Sequence, residues 1–106
     1  DKKNFTNANY KYVKSILKII NIYKKKKFLI HISSCSVYEG LKKDIISDKE
    51  KNINPKSFYA KSKLLGDQII LNHSQKKYFS FHIIRLPQVL GNNLENSSLI
   101  KLKKIF

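Results

Sequence analysis

The chain has 106 residues, 42% of them hydrophobic, and a formal net charge of +15. That length suits at most one small domain, a stretch of about 18 apolar residues that could cross a membrane is missing, and a single cysteine, Cys35, rules out an internal disulfide. The charge invites a nucleic-acid reading, but Arg85 is the one arginine among 22 basic residues, and base reading and bidentate phosphate contact favour arginine over lysine.

The charge therefore reads as lysine spread over solvated faces, with polyanion binding at low salt and no specific nucleic-acid site. No signal peptide is visible, since the N-terminus is polar and charged. With one cysteine this predicts a cytoplasmic protein without a membrane partner. His31, His73 and His82 are scattered, and no Cys/His cluster has ligand spacing, so no metal is expected. The absence of methionine marks the chain as a processed product or a fragment.

Residues 9–23 read as a helix. Tyr12, Ile16, Ile19, Ile20 and Tyr23 recur at helical spacing, with Val13 and Leu17 widening the stripe. Lys24 to Lys27 suit its C-terminal end. Phe28 to Ser33 is a short run of strand formers, read as a strand buried on both faces of a parallel sheet. His31 within it reads as a core or strand-end residue. Residues 34–57 are polar and irregular, a length of loop that is usually functional or disordered.

Ser57 is the expected N-cap of a second helix running through Leu64, Leu65, Ile69 and Ile70 to about Asn72. Phe79 to Leu86 reads as a second strand, stopped by Pro87. Gly91, Asn92 and Asn93 suggest a turn, and Ser98 to Phe106 a further basic helix. Strands alternating with helices predict an α/β fold with a parallel sheet. Two strands make too small a parallel sheet to stand alone. The expectation is a partial Rossmann-like, doubly wound sheet holding the second half of such a fold, its first βαβ half missing.

Tyr59 and Lys63 lie four apart, hence on one face of their helix. An ammonium beside a phenol favours the phenolate, by roughly 4 kcal/mol for a unit charge about 4 Å away at an effective dielectric of about 20. Such a tyrosine can move protons in catalysis. In an open α/β sheet ligands bind beyond the carboxyl ends of the strands. There Ser33-Ser34-Cys35-Ser36-Val37-Tyr38 offers hydroxyls to a substrate oxygen.

Together these residues resemble the extended short-chain dehydrogenase/reductase superfamily, in particular its nucleotide-sugar epimerases, dehydratases and reductases. The matching positions run in order. The strand ends in Ser33-Ser34, and Val37-Tyr38-Glu39-Gly40 stands for a Val-Tyr-Gly turn. Pro55, Ser57, Tyr59, Ser62 and Lys63 stand for P-x-S-x-Y-x-x-S-K, with Asp67 as the acidic residue that follows. Arg85, Pro87 and Gly91 come next, and Asn9 lies upstream. The resemblance implies catalytic roles for Ser34, Tyr59 and Lys63. Tyr59 would be the general acid/base, Lys63 would also hold the cofactor ribose, and Ser34 would bond the reacting oxygen. It implies cofactor contacts from Asn9, Tyr59, Lys63 and Pro87, NAD or NADP as cofactor, and a nucleotide sugar as substrate. Family members are often dimers, so a homodimer is one option.

Residues 1–106 then form the central to C-terminal part of one NAD(P)-binding Rossmann domain. The glycine-rich turn that receives a pyrophosphate would lie in a preceding segment, and the fragment alone is expected to be inactive. Gln88 and Leu90 depart from the family pattern, and Glu39 reads as an extra residue before Gly40. A non-catalytic dinucleotide-binding protein, or an inactive fragment, is the competing expectation.

Overall fold

A computed structural model describes residues 2–88; the turn expected at Gly91–Asn93 and the helix expected from Ser98 lie outside them. Helical backbone begins at α1 (Lys2–Thr6), passes through a π-helical turn (Asn7–Lys11) and continues as α2 (Tyr12–Tyr23). The helix thus starts a full two turns before the expected opening at Asn9. Nothing in residues 2–8 breaks a helix, and Phe5 is anchored edge-on against Tyr59 with ring centroids 5.4 Å apart. Lys24 ends the run in the left-handed conformation, φ 49°, its N–H bonded to the Ile20 carbonyl.

The buried face of α2 differs from the expected stripe. Val13 and Leu17 are its buried residues, and Ile20 packs beside them. Tyr12, Ile16, Ile19 and Tyr23 are exposed. The helix is apolar on more than one side, and its rotation is set by Asn9, which is buried one turn before Val13.

Strand β1 (Lys27–Ser34) pairs in parallel with β2 (Phe79–Leu86), from Lys27↔Phe79 to Ser34↔Leu86. The connection between them carries α3 (Phe58–His73). Val13, Leu17, Ile70 and Phe79 form the core, with Leu29, Ile69, Phe81 and Ile83 packed against it. Burying side chains of this size contributes about 1.5–3 kcal/mol each.

The strands alternate in burial, so the sheet is covered on one face only. Phe28, Ile30 and Ile32 stand 58%, 56% and 47% exposed on the other. The expected burial on both faces is not met among the described residues, because both long helices lie against the same side.

Beyond β1 the chain makes a 3-10 turn (Cys35–Tyr38), then an irregular segment that the expectation left unstructured. Glu39 fastens it. Its carboxylate accepts from the backbone N–H groups of Lys56 and Ser57 and from the Ser57 hydroxyl. A salt bridge of 2.7 Å between Lys43 and Glu50 ties the middle of the segment.

Candidate functional site

Helix α3 starts where its cap dictates. Ser57 is extended, and its Oγ accepts from the Ala60 N–H at 3.2 Å, satisfying one of the free donors of the first turn. That start fixes the helical phase, so Tyr59, Lys63 and Asp67 fall on one stripe, each four residues from the next.

Lys63 crosses from this stripe to the sheet. Its Nζ donates to the Ile32 carbonyl at 3.2 Å, two residues before Ser34. The same Nζ lies 5.9 Å from the centroid of the Tyr59 ring. Tyr59 is 37% exposed, so a ligand can reach it. Behind it, Ser62 Oγ donates to the Tyr59 carbonyl at 2.7 Å and accepts from Asn9 Nδ2 at 3.0 Å.

Ser34 ends β1 and caps the 3-10 turn. Its Oγ accepts from the Ser36 N–H at 3.1 Å and lies 2.8 Å from Ser36 Oγ. The two hydroxyls form a pair at the carboxyl edge of the sheet, both within the serine-rich run expected to offer hydroxyls there. Pro87 directly follows Leu86, the register partner of Ser34, so it lies at the same edge.

Asn9 sits differently from a ligand-facing side chain: it is buried, and its amide is spent on Ser62. Its backbone carbonyl abuts Gly66, where an added Cβ would collide with it. The π turn carries this carbonyl, which lies against α3, and such turns are frequent at functional sites.

Below Lys63 lies a buried polar cluster. Asp67 is wholly buried. Its Oδ2 accepts from Ser33 Oγ and from Arg85 Nε, both at 2.9 Å. His31 Nε2 stands 3.2 Å from Oδ1. Arg85 also donates to the Tyr38 hydroxyl at 2.6 Å and stacks over that ring at 5.0 Å. Burial pushes the Asp67 carboxyl up, but His31, Ser33 and Arg85 outweigh it and hold its pKa below the ordinary value. Burial likewise pushes Arg85 down, while Tyr38 and Asp67 more than offset it and leave its pKa raised.

The family model described as the NAD dependent epimerase/dehydratase family matches residues 1–104. The chain belongs to that family. Membership carries an NAD-dependent, epimerase/dehydratase-type function and the use of NAD or NADP. No curated protein and no solved structure matches the chain. The described residues hold no group of His, Cys, Asp and Glu suited to a metal ion, and no helix among them is long and apolar enough to cross a membrane.

The family's dinucleotide fits these residues on one side. Lys63 has three donors and directs one at Ile32, so its ammonium, beside the partly exposed Tyr59, has donors that would suit ribose hydroxyls. The pyrophosphate side does not fall on the described residues. Gly40 sits in a turn with φ +83° and Gly66 is closed against Asn9.

Proposed function

We propose that Ser34, Tyr59 and Lys63 form the proton-transfer site of an NAD(P)-dependent epimerase, dehydratase or reductase acting on a nucleotide-linked sugar. The observation that carries this reading is Lys63 reaching from the Tyr59 helix to Ile32, at the end of the strand that bears Ser34. The bound dinucleotide supplies hydride transfer. Tyr59 gives or takes the proton at the sugar oxygen, and Ser34 holds that oxygen by a hydrogen bond. Lys63 holds the ribose. Pro87 and Asn9 support the cofactor side, Pro87 from the sheet edge and Asn9 through Ser62 and the Tyr59 backbone. The chain supplies part of a single NAD(P)-binding Rossmann domain, in a reducing, cytoplasmic setting that suits the exposed thiol of Cys35.

The test is Tyr59→Phe in the full-length protein, assayed on a panel of nucleotide-linked hexoses. Turnover is expected to fall by about 10²–10⁴-fold with NADH affinity retained. Unchanged turnover sinks the reading.

A further inference from the structure

A carboxylate taken wholly out of water is costly unless it is paired, and Asp67 is paired from several directions. One arm runs from Asp67 to Ser33, the residue just before Ser34. The other runs from Asp67 through Arg85 to the hydroxyl of Tyr38, the last residue of the turn that Ser34 caps. The two arms therefore grip the chain on both sides of Ser34. Their common origin lies on α3, one turn beyond Lys63 and two beyond Tyr59.

We propose that Asp67 is a positioning residue, which uses these two arms to set the Ser34 hydroxyl against Tyr59 and Lys63. The proposal rests on the reading of those three residues as the proton-transfer set. Stability alone does not call for a charge here, since well-packed apolar side chains often replace a buried ion pair without loss. Directional bonds from one carboxylate to two strands give what apolar packing does not: a fixed offset between helix, strand end and turn. The offset matters because a misplacement of about 1 Å at a reacting group can cost about 10²-fold in rate.

Asp67→Asn strands the Arg85 charge and endangers the fold, so the test deletes single hydroxyls instead. Ser33→Ala cuts one arm and Tyr38→Phe the other. Both are compared with wild type and Tyr59→Phe in the full-length protein, using whichever nucleotide-linked hexose the wild type turns over. Each deletion is expected to lower kcat by about tenfold, with KM, NADH affinity by fluorescence titration and melting temperature nearly unchanged. Unchanged kcat in both variants overturns the proposal. So does a kcat loss that merely follows NADH affinity and melting temperature, because that is the signature of a structural prop. Full turnover by Tyr59→Phe, or a wild type that binds NADH and turns over no hexose of the panel, overturns the underlying site reading and the proposal with it. A dead Tyr59→Phe beside fully active Ser33→Ala and Tyr38→Phe rejects the proposal alone.

Discussion

Replacing Asp67 with Asn keeps the shape of the side chain and removes its charge. The Asn oxygen, standing where Oδ2 does, can still accept from both Ser33 and Arg85 through its two lone pairs. The Arg85 guanidinium, on a side chain only 15% exposed, loses its counter-charge. Removing one member of a buried pair costs about 3–5 kcal/mol. Arg85 keeps the Tyr38 hydroxyl and some access to water, so the lower end, about 3 kcal/mol, is expected. That is a large share of the roughly 5–15 kcal/mol that holds a domain folded.

Urea unfolding of the full-length protein, followed by tyrosine fluorescence and circular dichroism, measures it. The double variant Asp67→Leu/Arg85→Met leaves no stranded charge and should lose much less than the two single changes summed. A loss below about 1 kcal/mol for Asp67→Asn, or strict additivity in the cycle, refutes the reasoning. The pH dependence has a definite sign. Asp67 is held below its ordinary pKa in the folded state. Its contribution is therefore complete above the carboxylate range and is lost as the pH falls through the folded value. The gap between wild type and Asp67→Asn should be level near neutrality and narrow in acid.

Gly66→Ala gains about 1 kcal/mol of helix propensity, but the new methyl meets the Asn9 backbone carbonyl, which cannot rotate away. Overpacking of this kind costs about 1–3 kcal/mol, so a lower melting temperature is expected, and a higher one would show that the two helices can separate freely. Glu39→Gln weakens the hold on the Lys56 and Ser57 amides, and faster hydrogen exchange there, with quicker proteolysis across 40–57, is the expected result. The Ser57 backbone bond leads in holding Glu39 below its ordinary pKa, so the wild type should show the same loosening, as a lower protection factor, once acid protonates it, and a protection factor that does not change with pH would contradict the clip. Leu17→Ala removes a core side chain that is 3% exposed and should cost about 2–5 kcal/mol in urea unfolding; a cost under about 1 kcal/mol would place the core elsewhere.

The strands and α3 were legible because their signals are local. Ser57 caps α3 as its position suggested, and β2 spans Phe79–Leu86 as its strand formers indicated. The early helix start and the π turn left no local signal, since they depend on Phe5 meeting Tyr59 and Asn9 meeting α3. Periodicity showed that α2 is amphipathic but misjudged its inner face, because several apolar sides compete and only the Asn9 contact decides. Asp67 and Arg85 were visible as family positions, yet their pairing with Ser33 and Tyr38 spans the whole fold. The Glu39 clip was hidden for the same reason: the extra residue could be seen, but its partners lie beyond a long irregular segment.

That clip bears on how the chain folds. Each rung of the parallel ladder, from Lys27↔Phe79 to Ser34↔Leu86, joins residues about 50 positions apart, and such non-local pairing is slow because chain closure precedes any gain. Once Glu39 holds Lys56 and Ser57, residues 40–55 drop out of the path that has to close. From the end of β1 to the start of β2 there then remain little more than the 3-10 turn and α3, itself a local structure. A carboxylate that anchors the N-cap residue of a helix thereby acts as a splice in the chain, shortening the segment whose ends the strand pairing has to bring together.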